Sequence, residues 1–182
     1  MSEFKRLERK LIAKGRIIDY YQDTIEVENG NIVTWDFIGH KGAAAVVPVL
    51  PDGRILMVRQ YRNALERYTV EIPAGGLDTP DEPHYDAALR ELKEETGYTA
   101  KELELLIRIN TTVAFCNEII SVYVAFLDGV RGEQELDDDE FIHVIPYEVC
   151  DLERMIYTGE ITDSKTISAI MCYKNKFLLP NA

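Results

Sequence analysis

Glu91, Glu94 and Glu95 stand at i, i+3 and i+4 in a stretch with helical character. At about 100° per residue the three carboxylates share one arc of a helix. Like charges at these intervals repel one another. A cation relieves that repulsion, and clusters of hard oxygen donors suit Mg²⁺ or Mn²⁺. On the same wheel Tyr85, Leu89, Leu92 and Thr96 form a separate arc, predicting a core-facing stripe. The plain alternative for the charges alone is a solvated acidic face steadied by Arg90 and Lys93.

The wider spacing decides between these readings. Gly76, five residues, Glu82, seven residues, Arg90-Glu91-Leu92, one residue, Glu94-Glu95, one residue and Gly97-Tyr98 resembles the Nudix box throughout. The likeness to the Nudix hydrolase family implies hydrolysis of a diphosphate linked to another moiety, with a divalent metal on the helix carboxylates. Three further stretches resemble the bacterial ADP-ribose pyrophosphatase branch: Arg59–Arg62, Glu71–Gly75 and Met155–Thr166.

By position, the resemblance makes Glu91 and Glu95 direct metal ligands, and Glu94 a further ligand or the partner of one. A backbone carbonyl ligand falls on Ala74 or Gly75. Arg90 is expected to orient the acids by ion pairing, with Glu82 as recipient. Arg62 matches a phosphate-contacting arginine, whose planar fork suits diphosphate oxygens. Arg59 either shares that task or pairs with a surface acid. Trp35, with Tyr20 or Tyr21 as a second half, either stacks on adenine or packs at an interface. Glu118 joins these as a substrate-binding candidate. The acidic loop Asp137–Glu140 is expected to carry the base and an extra ligand. Asp138 falls where the base belongs, one methylene shorter than the expected glutamate, and Glu140 matches the ligand. His84 and His143 read as structural or surface residues.

Two departures from the branch stand out. Val113-Ala114 occupies the place of a Pro-Gly turn, lacking proline's fixed φ and glycine's freedom. The loop opening the box also runs one residue long. The substrate implied is therefore ADP-ribose or a related nucleoside diphosphate sugar. Another nucleoside diphosphate derivative such as GDP-mannose, or a module that senses such a nucleotide without cleaving it, is the alternative.

These residues need a scaffold. The length of 182 residues suits a catalytic domain over 42–182 behind a small N-terminal β-meander over 1–41. Strands are predicted at 16–21, 24–28 and 32–38 about the Asn29-Gly30-Asn31 turn, with residues 4–12 open between helix and strand. Ala43–Leu50 is almost wholly apolar and predicts a strand buried on both faces. Further strands follow at 54–61, 68–72, 103–112, 118–126 and 141–145. Helices are expected from Pro83 to Gly97, over 147–157, and onward from Asp163. Mixed strands with helices give an α/β or α+β sandwich, and the resemblance implies the α-β-α Nudix arrangement.

The net charge of -12 argues against a nucleic acid partner, since a phosphate backbone needs a basic footprint. No run of apolar residues reaches the length of a membrane span. Cys116, Cys150 and Cys172 lack metal-ligand spacing and read as reduced thiols of a cytoplasmic protein. The family likeness implies a homodimer formed through the N-terminal strands.

Overall fold

The computed structural model describes residues 4–138 and 140–179. The chain divides into two compact units, one of Met1–Gly42 with Asn110–Ile119, the other of Ala43–Ile109 with Ile120–Ala182. The segment 110–119 thus belongs with the N-terminal unit.

That unit is a three-stranded antiparallel sheet of β1 (Lys5–Lys14), β2 (Asp19–Glu26) and β3 (Ile32–Gly39), in the order β1-β2-β3. Residues 4–12, undecided by sequence, are mostly strand. The two strands predicted at 16–21 and 24–28 are one continuous element. The polar pair Gln22-Asp23 reads as a break, but Asp23 is buried and takes both Nε and Nη2 of Arg9 at 2.7 and 2.6 Å. The Arg9 guanidinium also lies 3.5 Å from the centre of the Phe37 ring. The returning segment pairs with β3, where Ile38 N donates to Phe115 O at 2.7 Å. Its turn is made by Cys116 N donating to Thr112 O at 3.0 Å. Neither Val113 nor Ala114 has positive φ, so this turn follows a path that proline and glycine are not needed to make.

The second unit holds a seven-stranded mixed sheet. Its main path runs β10 (His143–Tyr147), β5 (Ile55–Arg62), β4 (Ala43–Val49), β9 (Ile119–Phe126), β8 (Glu104–Asn110). Off this path, β6 (Arg67–Glu71) pairs with β5 and β7 (Ala74–Gly76) with β4. Every residue of β4 is buried, because it is paired with strands and covered on both faces. Its alternate side chains go opposite ways. Ala43, Ala45, Val47 and Val49 join a core with Leu152, Met155 and Ile170, whereas Ala44 and Val46 join Ala87, Ala88 and Leu92. Helices α2 (Val149–Tyr157) and α3 (Ser164–Tyr173) line the first core and α1 (His84–Thr96) the second. This is the layered sandwich with a mixed sheet that the sequence predicts.

Most shifts from prediction are one to two residues at element ends. The strand expected at 141–145 is β10, two residues later, in the register that puts His143 opposite Arg59. The packed face of α1 is a larger correction. Tyr85 is exposed and Leu89 only half-buried, while Ala87, Ala88, Leu92 and Thr96 face inward together with Glu91 and Glu95. Two adjacent alanines let the helix lie close to Ala44, and this brings two of the three carboxylates under cover. At the other end Gly97 closes α1 at φ 75°, where a Cβ would sit 2.6 Å from Gly132 O. No helix among the described residues is long and apolar enough to cross a membrane.

Candidate active site

The box folds as β7, a loop and α1. β7 lies antiparallel to β4, with Ala44 opposite Gly75, so the loop starts from the most buried strand of the sheet. Glu82 closes the loop by accepting Asp78 N at 2.6 Å. Arg90 then ties loop to helix. Its Nη1 donates to Glu91 at 2.6 Å and Glu94 at 3.1 Å, its Nε to Glu82 at 3.3 Å, and its Nη2 to Gly76 O at 3.1 Å. All three nitrogens are spent on the box. Burial pushes the Glu82 carboxyl up, but the Asp78 amide and Arg90 outweigh it and hold the group below its usual range.

Glu91 and Glu95 behave differently. Glu95 is 3% exposed, and its Oε2 accepts Ala74 N at 3.0 Å. Burial pushes it up to about 8, with Glu91 and Glu140 adding to the rise and the Ala74 amide and Arg62 opposing it. Burial likewise pushes Glu91 up to about 7 against the pull of Arg90, and Glu94 and Glu140 add to the rise. Two carboxyls in one poorly hydrated place cannot both stay ionised without added positive charge. Backbone comes very close as well. A Cβ on Gly75 would lie 2.0 Å from Glu91 Oε1, so only glycine leaves room for that carboxylate.

The acidic loop is anchored on the far end of α1. Gln134 Nε2 donates to Glu95 O at 2.6 Å, Arg131 Nε to Thr96 O at 3.2 Å, and Glu135 N to Glu94 O at 3.0 Å. These bonds satisfy carbonyls that a helix end leaves unpaired. Beyond them Asp138 and Glu140 are exposed, and Glu140 N donates to Asp137 O at 3.0 Å. Asp139, in the same predicted stretch, lies outside the described residues.

Arg62 ends β5, with Nε and Nη2 on the two oxygens of Glu71 at 2.8 and 2.6 Å. Arg59 is stacked instead, its guanidinium 4.0 Å from the centre of the Tyr68 ring. In the N-terminal unit Trp35 is 49% exposed. With Tyr20, Asp36, Ile38, Ala114 and Phe115 it lines a cavity of about 600 Å³. Tyr20 Oη donates to Asp36 there at 2.6 Å, whereas Tyr21 packs on Phe37 with ring centres 5.8 Å apart. Glu118 belongs to the same unit, accepting Thr111 Oγ1 at 2.7 Å and lying 3.4 Å from His40 Nδ1. His84 Nδ1 is 2.9 Å from Ala43 O, and His143 is exposed.

A model of the NUDIX domain matches residues 39–169. The chain belongs to the Nudix family. An ADP-ribose pyrophosphatase of Bacillus subtilis (strain 168) is 43% identical over 172 residues, covering 91% of this chain and 92% of that one. A methanol dehydrogenase activator of Bacillus methanolicus is 38% identical over 169 residues, covering 92% and 91%. A solved structure described as an ADP compounds hydrolase superposes with a TM-score of 0.82 at 22% identity, covering 94% and 92%. This last likeness is one of fold.

The Nudix box of this chain suits a hard divalent cation in its donors, which are carboxylate and carbonyl oxygens. The fit shows in two buried carboxylates held beside backbone, Glu91 against Gly75 and Glu95 on the Ala74 amide. Among the described residues no three His, Cys, Asp or Glu side chains stand preassembled around one point. Arg90 instead engages Glu91 and Glu94. Sequence reasoning did not single out Glu71 and Lys165, which the fold pairs, or Gln134, which donates to the Glu95 carbonyl. A lone acid in the apolar strand run Val70-Glu71-Ile72 was the available signal.

Proposed function

We propose that this Nudix protein hydrolyses the diphosphate bond of ADP-ribose, or of a related nucleoside diphosphate sugar, to a nucleoside monophosphate and a sugar phosphate. The observation that carries the reading is the buried pair Glu91 and Glu95 held against Gly75 and the Ala74 amide. Such a pair is costly unless positive charge completes it. A divalent cation, Mg²⁺ or Mn²⁺, held by Glu91, Glu95 and the Ala74 or Gly75 carbonyl would neutralise charge developing on phosphoryl oxygens and acidify a bound water. Glu94 and Glu140 are additional donors for it.

The chain's own residues do the rest. Arg90 and Glu82 hold the carboxylates in register with the loop. Arg62 offers a guanidinium to a phosphate. The attacking water forms a bond to one phosphorus as the bridging P–O bond breaks, and its proton passes to a carboxylate of the 137–140 loop, Asp138 or Glu140. The cavity beside Trp35 and Tyr20 is our candidate for the purine base, which stacks on aromatic faces. The identity of the B. subtilis relative supports the choice of ADP-ribose.

The test is incubation of purified protein with Mg²⁺ and ADP-ribose, ADP-glucose, GDP-mannose and a dinucleotide diphosphate, with products resolved by chromatography. ADP-ribose is expected to turn over fastest, giving AMP and ribose phosphate. Binding of ADP-ribose with no product from any compound would instead establish a sensing module.

We also propose a homodimer through the N-terminal unit. β1 is exposed along its whole length and presents Leu7, Leu11 and Ile12 to solvent, with Phe4 exposed just before it. An open strand edge with apolar side chains pairs readily with another chain. Sedimentation velocity is expected to show twice the chain mass, and a monomer at micromolar concentration would refute the proposal.

A further inference from the structure

Glu71 is 2% exposed, yet it is surrounded by donors. Arg62 takes both oxygens, Thr69 Oγ1 donates to Oε1 at 2.6 Å, and Lys165 Nζ, itself 8% exposed as a residue, donates to Oε2. Burial alone would raise this carboxyl, but Arg62 and Lys165 outweigh it and leave it at about 2. Lys165 continues to Asp163 at 2.9 Å, and Asp163 caps α3 by accepting Thr166 N at 3.0 Å and Thr166 Oγ1 at 2.6 Å. Thr166 Oγ1 in turn accepts Ile72 N at 3.1 Å, two residues before Ala74. The first turn of α3 is therefore fastened to the strand end that leads into the Nudix box.

A buried ion pair is weak evidence for stability, because desolvation offsets much of its attraction. What such a network does well is hold geometry. An arginine at a strand end samples many rotamers, and a two-point grip on Nε and Nη2 selects one plane for its guanidinium. Nη1 has no hydrogen-bond partner among the described residues, and the side chain remains 39% exposed. Thus the grip restrains Arg62 without occupying all of it.

We infer that Lys165, acting through Glu71, is a positioning residue that fixes the guanidinium of Arg62 for a phosphate of the substrate. The inference rests on the reading of Arg62 in the proposed function. Lys165 touches neither substrate nor reacting atoms; its effect is to keep Glu71 in place. The Asp163-Ser-Lys-Thr166 segment then serves the site from 94 residues away in sequence.

Two measurements on the full chain test this. In the free protein, the side-chain Nε–H resonance of Arg62, identified by its loss in Arg62→Lys, is expected to be sharp and slow to exchange. It is expected to broaden in Lys165→Met and Glu71→Gln. Thr69→Val, a milder change, serves if those variants fold poorly. In kinetics with ADP-ribose, Lys165→Met is expected to raise KM about tenfold while kcat changes less, and to add under twofold in an Arg62→Ala background. An unchanged resonance in the folded variants, or fully multiplicative kinetic effects, would overturn the inference. Absence of turnover by the wild type would sink the substrate reading alone, since the resonance decides the network separately.

Discussion

Glu95→Gln is expected to lower kcat/KM for ADP-ribose by about 10²–10³-fold, the scale seen when a preorganised electrostatic group is removed. The fold is expected to survive and, without divalent metal, to gain stability at alkaline pH. Glu95 and Glu91 have folded values of about 8 and about 7, above the ordinary 4.5. For carboxyls raised in this way the stability contribution is present below about pH 4.5 and is lost as pH rises through the folded values. Wild-type protein in EDTA is therefore expected to melt at progressively lower temperature from pH 5 to pH 9. The glutamine variant keeps the shape and the amide contact but has no charge to bury at position 95. Its advantage at pH 9 is on the order of 2–4 kcal/mol, several degrees in melting temperature. Thermal melts in EDTA across that range, beside a turnover assay, check both halves. Retained activity refutes Glu95 as a metal ligand, and a wild-type melt that does not vary with pH refutes the buried charge.

Gly75→Ala is expected to cost about 100-fold in kcat with only a small loss of stability, the size of effect found when groups supporting a metal site are disturbed. The added Cβ would meet Glu91 Oε1 at 2.0 Å and Oε2 at 2.3 Å. Both are ends of a flexible side chain, so the carboxylate moves and the backbone does not. Gly75 is absent from the glycines with positive φ, and alanine is thus tolerated by the local conformation. Displacement of Glu91 is the mechanism, so in a Glu91→Gln background the same substitution is expected to do little more. Full activity in Gly75→Ala, or equal losses in both backgrounds, shows that the close approach has no catalytic consequence.

Much of this protein was legible along the chain. The intervals from Gly76 to Tyr98 identify the box, because each position has a local job: glycine to end a helix, arginine beside the acids it pairs with. The all-apolar run at Ala43–Val49 announces a central strand, and Asp163 before Ser-Lys-Thr announces a helix cap. Periodicity failed where a polar side chain is paired across the fold. Gln22-Asp23 read as a strand break because the Arg9 that donates to Asp23 sits 14 residues away. On α1 the wheel put the acids opposite the packed face, since hydropathy treats alanine as filler. In the folded chain Ala87 and Ala88 permit close approach to Ala44, and Glu91 and Glu95 become buried.

The sequence by itself determined the family, the reaction class and the set of carboxylates, all of which depend on residue type at short spacing. Tertiary structure alone decided which of those carboxylates lose water and which keep it. It also joined Glu71 to Lys165, because burial and ion pairing between distant segments depend on the packing of the sheet and its helices.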